Sequence, residues 1–581
     1  MLPTFPAECD VAIIGGGPAG ATTASLLRKM SPSRRVVVLE KTRFPRHHIG
    51  ESTLPEMNRI LHKMGVLEKI DSAGFVRKRG ITYKWASHKP PFSDLFSTGV
   101  LDALVGSPGH VPDYSWQVER SRYDAILLSH ARELGAEVFE DAQAVGLIKD
   151  GDRIRGLEVA REGKRSSLRA EFVVDCSGQA RVLSSWLHLD KQAHALGDLG
   201  IYRYYEGFRW NPDLIGSLTA SLIFFQSARR GWMWFIPLSE QLVSVGLVTR
   251  REFLKQTPAV ALFDEELATL PEIVGMLDGA VVAPAPADPD PTPRTHTIAD
   301  WSYSHAAPAG PGYYLAGDAA AFVDPILSSG VLLAHQSGLS VANAINTQWT
   351  VSDVSEAEIH AAYADFYRDL YGGFLKMAHW WYTRREVGID EWLKLAQELG
   401  SNAVGAQEIG ENDSSSFMTF AAGFLSDFRF VNVGCGYREK GLEVTMDGVD
   451  GTSVGHKLRL ELRERSIRLR SKIRRMDTSA YLATDIGTDR WWRFPIIHLY
   501  GEWGEDTYRP PVLGNPHSDE WVTTCLRAIE RALRCCDGSM SLERIVDRTV
   551  ASFPRDDQQK LRKLCDLVLA GLYVKGRIER A

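Results

Sequence analysis

The chain has 581 residues, 44% hydrophobic and 24% charged, a balance typical of a globular protein large enough for two or three domains. Its formal net charge of -6 excludes a broad basic surface and argues against nucleic acid as the main partner. The start of the chain has no basic segment followed by an apolar one, and no run of about 18 apolar residues occurs, so neither a secretory signal nor a membrane association is expected.

Seven cysteines occur, an odd number without Cys-x-x-Cys or zinc-finger spacing, and we interpret them as reduced thiols. No metal site is predicted. Reduced thiols and the lack of a targeting signal favour a cytoplasmic protein.

The first forty residues contain a dinucleotide-binding pattern. The apolar run Val11–Ile14 predicts a buried strand, and Gly15, Gly17 and Gly20 supply the G-x-G-x-x-G spacing where a helix should begin. A second apolar strand ends at Glu40, whose carboxylate can accept ribose hydroxyls and would repel a 2′-phosphate. The order of strand, turn, helix, strand and acid predicts a site for an adenine dinucleotide other than NADP.

A basic loop follows and contains Gly50, Glu51 and Ser52. These residues either cap a helix predicted from about Leu54 or lay backbone amides against a flat cofactor ring, and the residues alone leave both interpretations open. Lys78 lies in a short strand-like segment between aromatic residues, where a lone lysine most often faces solvent.

Residues 117–131 carry apolar residues at helical spacing. Arg120, near the start of this helix, either meets cofactor phosphates or caps a neighbouring turn. A strand follows at 136–139, and the run 171–178 predicts another buried strand that ends in a turn of small residues. In a doubly wound sheet such a turn opens towards the ligand crevice.

From residue 193 to about 279 the pattern changes to aromatic-rich strands, which predicts an antiparallel sheet inserted into the first domain. Within it, Trp232, Trp234 and Ile236 alternate along one strand face, and Pro237 ends the strand. The simplest interpretation is that this aromatic face packs into a core.

A second dinucleotide signal follows the inserted sheet. A buried strand over 312–316 leads into Gly317 and Asp318, and a helix is predicted after Gly330. Asp318 can accept a ribityl hydroxyl, and the helix start points backbone amides at an electron-rich ring. This pairing favours FAD over NAD. No second G-x-G-x-x-G occurs, so no separate site for NADH is predicted.

The pattern is helical from about 355 to 381, and residues 401–416 form a polar boundary. The end of the chain predicts helices and a terminal strand pair of winged-helix type. Because no dense basic stripe accompanies them, a docking or lid role is favoured over nucleic-acid binding.

The predicted architecture is therefore α/β. A doubly wound, Rossmann-type FAD-binding domain related to glutathione reductase is expected from residues 1–185 and 295–400. The inserted antiparallel sheet on the substrate side covers 186–294, and a mainly α, winged-helix-like domain covers 401–581.

Together these motifs resemble the flavin-dependent halogenases, most closely the chloramphenicol-halogenase-like branch with an extra C-terminal domain. The resemblance covers roughly residues 8–380. Gly15–Gly20 matches the FAD turn, Trp232–Pro237 matches the W-x-W-x-I-P signature, and Asp324–Gly330 matches the loop whose amides hold chloride. Lys78 stands in the position of the catalytic lysine.

The resemblance implies that FAD, reduced by a separate flavin reductase, reacts with O2, and that chloride becomes hypochlorous acid. Lys78 would then present the halogen to the substrate. Trp232 and Trp234 would keep the substrate away from the flavin, and the amides of Ser329 and Gly330 would hold chloride. Such enzymes act in the biosynthesis of antibiotics and other secondary metabolites.

The residue patterns and the resemblance also give a set of expected contacts. Expected FAD contacts are Gly15, Gly17, Ala19, Gly20, Glu40, Lys41, Gly50, Glu51, Ser52, Arg120, Asp300, Gly317, Asp318 and Gly330. Residues expected to separate flavin from substrate are Trp232, Trp234, Ile236 and Pro237. Asp300 matches the position that is esterified to the flavin in the chloramphenicol-type enzyme, so a covalent FAD is a further hypothesis.

One departure bears on the substrate. Tryptophan halogenases have a glutamate where this chain has Leu327, which argues against free tryptophan. The expected target is an electron-rich carbon, in a phenol-type ring or an enolisable acyl group, tethered to a carrier protein. Two alternatives stay open at this point: an FAD-dependent monooxygenase of the same fold, which would react with NADH directly, and a flavin-binding regulator.

Overall fold

The computed structural model describes residues 5–84, 90–96, 114–194, 199–299, 302–350, 352, 354–383, 466–470, 472–481, 492–501, 504–508, 519–574 and 578–581. The chain divides into two compact units, the first built mainly from residues 1–392 and the second mainly from the rest. None of the described helices is long and apolar enough to cross a membrane.

The first unit contains two large sheets and the helices that cover them. Its strands are β1 (Glu8–Ile14), β2 (Val36–Leu39), β3 (Val76–Lys84), β4 (Phe92–Leu95), β5 (Ser115–Gln117), β6 (Glu137–Phe139), β7 (Ala142–Asp150), β8 (Arg153–Arg161), β9 (Lys164–Asp175), β10 (Lys191–Ala193), β11 (Leu199–Glu206), β12 (Gly216–Ser217), β13 (Ala220–Ala228), β14 (Gly231–Pro237), β15 (Leu242–Thr249), β16 (Val281–Ala283), β17 (His296–Ala299), β18 (Tyr303–His305), β19 (Ala309–Gly310), β20 (Tyr313–Leu315) and β21 (Ala321–Phe322). Its α-helices are α1 (Pro18–Met30), α2 (Met57–Met64), α3 (Leu67–Asp71), α4 (Arg120–Glu133), α5 (Val182–Trp186), α6 (Pro212–Ile215), α7 (Ala259–Leu267), α8 (Pro271–Met276), α9 (Gly330–Thr350) and α10 (Glu356–Thr383).

The first sheet has a parallel centre in the order β20-β9-β1-β2-β6. Strand β19 lies beside β20 at one edge, and β8 pairs with both β9 and β7. Its central strands are short apolar runs, and β2 is buried along its whole length, as expected for strands covered on both faces. The predicted doubly wound domain is confirmed. Because Ile14 pairs with both Leu39 and Asp175, the carboxyl ends of β1, β2 and β9 meet at one edge.

The second sheet follows the order β16-β11-β15-β14-β13-β3-β4, with β5, β12 and β17 as side branches. It is larger than the predicted insertion at 186–294, because β3, β4, β5 and β17 lie outside that range. The pair β3 and β13 is parallel, whereas the other pairs are antiparallel. One face carries Phe224, Met233 and Phe235, which join α7 and α8 in a hydrophobic core.

Period-two alternation sends the other face of β13 and β14 towards the first sheet. Trp232, Trp234 and Ile236 lie on that face and line a cavity. Packing of this aromatic face into a closed core, the simplest interpretation of the sequence, is therefore wrong. Helix α4 begins at Arg120, three residues later than predicted, because Gln117 pairs with Val76 in the sheet.

The second unit has the described strands β22 (Ser466–Leu469), β23 (Lys472–Tyr481), β24 (Trp492–Gly501), β25 (Gly504–Tyr508), β26 (Asp537–Ser541) and β27 (Ile578–Arg580). Its described helices are α11 (Asp519–Arg534), α12 (Leu542–Val550) and α13 (Arg555–Val574). The three helices share one hydrophobic core, and β26, β22 and β27 form a small antiparallel sheet beside it. The helices are present as predicted, but β26 and β27 flank β22 and do not form the expected terminal strand pair with each other. The meander of β23 to β25 was not predicted.

Candidate functional site

A cavity of about 510 Å³ opens where the two sheets of the first unit face each other. At one end lies the turn after β1. Gly15 has φ +100°, and a Cβ on it would lie 2.4 Å from the carbonyl oxygen of Cys176 after β9. A Cβ on Gly20 would lie 2.0 Å from the carbonyl oxygen of Gly15. A Cβ on Gly17 would instead meet only the end of the Arg46 side chain, at an ordinary contact distance of 3.6 Å. The turn is therefore packed against backbone atoms at Gly15 and Gly20, whereas its backbone at Gly17 stays accessible to a phosphate.

Glu40 follows β2 at the same edge and is buried. Its Oε2 accepts a hydrogen bond from the Gly16 amide at 2.9 Å, and its Oε1 accepts from the amide and hydroxyl of Thr42 at 3.1 and 2.9 Å. These bonds fix the carboxylate beside the turn. Each oxygen can accept more than one hydrogen bond, so ribose hydroxyls could still be received.

Two helix N-termini open into this cavity, those of α1 and α9. Helix α1 packs closely against α9 because Gly338 of α9 has no side chain. A Cβ there would lie 2.7 Å from the carbonyl oxygen of Ala19 and 3.0 Å from the Cβ of Thr22. Each N-terminus contributes partial positive charge and unpaired amides, so the pair suits an anionic or electron-rich ligand.

Arg120 and Asp318 face the middle of the cavity. The Arg120 guanidinium makes two hydrogen bonds to Asp124, at 2.8 and 2.9 Å, and its Nη1 donates to the carbonyl oxygens of Ile49 and Gly50. It therefore holds the neighbouring turn, one of the two roles considered from the sequence. Burial raises the pKa of Asp318 to about 7, and the positive charge of Arg120 opposes this rise.

The segment 50–52 lines the cavity and does not cap a helix. Helix α2 begins only at Met57, and its N-cap residue Glu56 makes no side-chain cap. Gly50 has φ +98°, a left-handed conformation that turns the following backbone. The capping interpretation is therefore wrong. Burial raises the pKa of Glu51 to about 7, while the hydrogen bond from the Tyr204 hydroxyl at 2.7 Å opposes that rise.

The tryptophan strand β14 forms the opposite wall. Trp232 is fully buried, and its ring makes an edge contact with Phe225 at a centroid distance of 5.1 Å. Trp234 donates from Nε1 to the Ser244 hydroxyl at 3.2 Å. A Cβ on Gly246 would lie 2.1 Å from the Trp234 ring, so the glycine on β15 makes room for this indole.

The loop 324–330 lies at the same end. Asp324 accepts from the Ile326 amide at 2.9 Å, and Ser328 has φ +53°, so the chain turns sharply before α9 starts at Gly330. The buried hydroxyl of Ser329 has no hydrogen-bond partner among the described residues. Backbone amides at a helix start, beside an unpaired hydroxyl, form a suitable cradle for a small anion.

Lys78 is fully buried on β3 and does not line the cavity. Its Nζ donates to the carbonyl oxygen of Thr53 at 3.0 Å and lies 5.4 Å from the centre of the Phe96 ring. Thr53 follows Ser52, which does line the cavity, so Lys78 sits one residue beyond the cavity wall. Burial lowers the pKa of Lys78 to about 7, which keeps a large neutral fraction at neutral pH. The solvent-facing interpretation from the residues alone is wrong.

The predicted site residues thus fall into three groups. Those that line the cavity are Gly15, Gly17, Ala19, Glu40, Lys41, Gly50, Glu51, Ser52, Arg120, Trp232, Trp234, Ile236, Gly317, Asp318, Ser329 and Gly330. Those described but not lining it are Gly20, Lys78 and Pro237. Asp300 lies outside the described residues. Among the described residues, no cluster of His, Cys, Asp and Glu could hold a metal ion.

Sequence reasoning missed several residues at the site. Arg46, His47 and His48 also line the cavity, from the basic loop after Glu40. The density of cations in that loop was a usable signal. Tyr382, near the end of α10, accepts a hydrogen bond from Trp232, and nothing in the helical pattern of α10 distinguished it from the neighbouring tyrosines.

The residues fit FAD. The open backbone at Gly17 and the N-terminus of α1 suit the pyrophosphate, Glu40 suits the adenosine ribose, and Asp318 suits the ribityl chain. The aromatic wall and the N-terminus of α9 suit a flat, electron-rich ring system.

Comparison with known proteins agrees with this arrangement. The sequence profile of the family described as Tryptophan halogenase matches residues 10–105 and 102–399. The tryptophan 2-halogenase of Chondromyces crocatus is 31% identical over 435 residues, which cover 72% of this chain and 77% of that protein. A 1H-pyrrole-2-carbonyl-[peptidyl-carrier protein] chlorinase of Pseudomonas fluorescens is 33% identical over 346 residues, covering 57% of this chain and 74% of that protein.

Among solved structures, the flavin-dependent halogenase CmlS superposes with a TM-score of 0.69 at 22% sequence identity. The superposition covers 99% of this chain and 96% of that one. At this identity the likeness concerns the fold, and it extends beyond the region that the family profile matches.

Proposed function

Because this chain belongs to the tryptophan-halogenase family of flavin-dependent halogenases, we propose that it is an FADH2-dependent chlorinase that passes hypochlorous acid to Lys78. The observation that carries the proposal is the meeting of the tryptophan strand and the 324–330 loop at one cavity, with a buried lysine just beyond its wall. Reduced FAD with O2 supplies the oxidation that converts chloride and a proton to hypochlorous acid, with water as the other product.

The chloride ion would lie against the backbone amides of Ser329 and Gly330. The N–H groups of these amides carry partial positive charge and do not release a proton. The start of α9 adds to that charge. The same site would accept bromide, which makes similar hydrogen bonds.

Lys78 would receive hypochlorous acid as a neutral amine. A neutral amine can hydrogen-bond the acid or form a chloramine with loss of water, and transfer of the chlorine to carbon then returns the amine. Burial supports this role because it lowers the pKa of Lys78 to about 7. An ordinary solvated lysine would be almost wholly protonated at neutral pH.

Trp232 and Trp234 would exclude the organic substrate from the flavin. Both indoles are buried and hydrogen-bonded, and the Trp234 ring packs directly against the backbone of Gly246. A wall held in this way lets a small molecule such as hypochlorous acid leave the cavity while an aromatic substrate stays out. Chlorination thus replaces monooxygenation, the alternative considered from the sequence.

The proposed substrate is an electron-rich carbon in a phenol-type ring or an enolisable acyl group, presented on a carrier protein. The carrier is supported by the relative whose name specifies a peptidyl-carrier-protein substrate. Leu327 is buried in the loop 324–330, which we call the halide loop, and it argues against free tryptophan as the substrate. One relative is nevertheless named tryptophan 2-halogenase. A separate flavin reductase would supply reduced FAD.

The decisive experiment supplies reduced FAD, O2 and chloride, and compares wild type with Lys78→Ala on monochlorodimedone, free tryptophan, phenols and carrier-bound acyl substrates. We expect wild type to chlorinate a phenolic or acyl substrate and the variant to lose most of that activity. Equal product from both proteins would remove Lys78 from the mechanism. Preferential chlorination of free tryptophan would overturn the substrate class.

A covalent link between FAD and Asp300 is a second, separable part of the proposal. If it forms, yellow colour remains in the protein pellet after acid precipitation, and Asp300→Asn releases it. Colour that leaves wild-type protein with the supernatant would contradict the link without affecting the halogenase proposal.

A further inference from the structure

Tyr382 connects two parts of the site that are distant in the sequence. Its hydroxyl accepts a hydrogen bond from Nε1 of Trp232 at 2.9 Å. The same hydroxyl lies 3.1 and 3.2 Å from the two carboxylate oxygens of Asp324 and donates to that group. Asp324 in turn accepts from the Ile326 amide. A continuous chain of hydrogen bonds therefore runs from the tryptophan strand to the halide loop.

Trp232 and Asp324 are both buried polar groups, and each is stabilised by its hydrogen bond with Tyr382. Trp232 is fully buried, and its N–H would lose a hydrogen bond without this acceptor. Asp324 is 2% exposed and begins the loop that ends at Gly330. Its carboxylate lines the same cavity as the proposed chloride site, and hydrogen-bond donors to the carboxylate weaken its repulsion of an anion there. The Tyr382 hydroxyl is one of those donors.

We propose that Tyr382 is a positioning residue that ties Trp232 to the halide loop and thereby sets the affinity for chloride. The inference rests on the proposed function, since it assigns a role within the same halogenation site. Tyr382 does not touch the halide in this account. It acts through Asp324, whose orientation fixes the Ile326 amide and the turn at Ser328, and hence the amides of Ser329 and Gly330.

Tyr382→Phe is the discriminating variant, because it keeps the ring and removes only the hydroxyl. Tyr363→Phe is the matched control. Tyr363 lies on the same helix, is fully buried, and donates a hydrogen bond to the Leu315 carbonyl oxygen at 2.6 Å, away from the 324–330 loop. Each variant loses one hydrogen-bonded hydroxyl, so a general loss of stability should appear in both.

Two measurements are made on wild type and both variants. The first is the chloride concentration for half-maximal chlorination, together with kcat. We expect Tyr382→Phe to raise the half-saturating chloride concentration about tenfold, as the loss of a hydrogen bond to a charged group predicts, with a smaller fall in kcat. Tyr363→Phe should leave the half-saturating concentration unchanged.

The second measurement needs neither flavin nor turnover. Protein labelled with 5-fluorotryptophan is examined by 19F NMR, and the Trp232 resonance is assigned by its disappearance in Trp232→Phe. Removal of the indole's acceptor should shift that resonance in Tyr382→Phe and leave it in place in Tyr363→Phe.

The outcomes distinguish a failure of the proposed function from a failure of the role assigned to Tyr382. A wild-type protein that fails to halogenate any substrate would overturn the proposed function. A wild type that does halogenate, with an unmoved Trp232 resonance or an unchanged chloride requirement in Tyr382→Phe, would overturn the role of Tyr382 alone.

Discussion

At the glycine-turn end of the cavity, Glu40 accepts hydrogen bonds at both carboxylate oxygens, and Gly15 and Gly20 leave no room for a Cβ. At the tryptophan end, the buried hydroxyls of Ser52 and Ser329 have no hydrogen-bond partner among the described residues. At the first end, backbone packing and internal hydrogen bonds fix the turn, while the backbone at Gly17 and the start of α1 stay accessible to a ligand. Unpaired buried polar groups of this kind are common at sites of chemistry.

This difference assigns binding to one end and reaction to the other. Changes at the glycine end should reduce cofactor affinity and stability together. Changes at the tryptophan end that spare the flavin contacts should reduce turnover while the fold and the cofactor affinity persist.

Lys78→Met should separate the two ends most clearly. Lys78 does not line the cavity, so FAD affinity should stay at the wild-type value, while chlorination falls by about 10²–10⁴-fold, as expected for loss of a group that handles the reacting atoms. Lys84→Met is the matched control, because Lys84 lies on the same strand but forms a salt bridge with Glu272. Flavin fluorescence titration and product formation are the measurements. A parallel loss of FAD affinity in Lys78→Met would contradict the separation.

Gly20→Ala should produce the opposite pattern. The new Cβ would lie 2.0 Å from the Gly15 carbonyl oxygen, so the turn must shift, at a cost of roughly 1–3 kcal/mol in the free energy of unfolding. If the displaced turn costs FAD binding a similar free energy, the affinity falls by about 10–100-fold. Gly275→Ala serves as control, because a Cβ at this helical position in α8 would have nothing within 4 Å and the variant should gain stability. Wild-type FAD affinity in Gly20→Ala would show that the turn tolerates movement.

His335→Leu tests the packing beneath the glycine end. The His335 ring bridges Thr22 of α1 and Tyr123 of α4 at 2.7 and 2.8 Å. Its loss leaves each hydroxyl with only a weak methionine-sulfur acceptor and should cost roughly 1–3 kcal/mol. Chemical denaturation at neutral pH measures this cost.

The cost should also depend on pH. Burial lowers the pKa of His335 to about 3, with the Asp124 charge opposing and the Arg120 charge adding to the shift. Between pH 6.5 and 3 the unfolded chain binds a proton that the folded chain does not, so wild type loses stability as pH falls. The leucine variant lacks this contribution, and its deficit relative to wild type should narrow. A constant deficit would mean that the pKa of His335 is the same in the folded and the unfolded chain.

Much of the glycine end could be predicted from the sequence, because φ angles and close backbone approaches leave a strict glycine spacing and an acid at a fixed distance. The tryptophan end was located by resemblance, since alternating tryptophans alone equally suit a closed core. The burial of Lys78 could not be predicted, because it depends on the pairing of β3 with both β13 and β5, which are distant in the sequence. Tyr382 was missed for the same reason, as its partners lie about 60 and 150 residues away.

Ser329→Ala offers the smallest and most specific test. Removal of an unpaired buried hydroxyl should raise the free energy of unfolding by about 0.5–1 kcal/mol, whereas Ser337→Ala on the helix that follows should lower it by about 1–3 kcal/mol. The contrast arises because the Ser337 hydroxyl accepts from the Gly317 amide at 2.7 Å and leaves that donor unpaired when removed. If the amides of Ser329 and Gly330 hold the halide, Ser329→Ala should change the chloride requirement less than Tyr382→Phe does. A larger change would transfer the halide contact from the backbone to the Ser329 side chain.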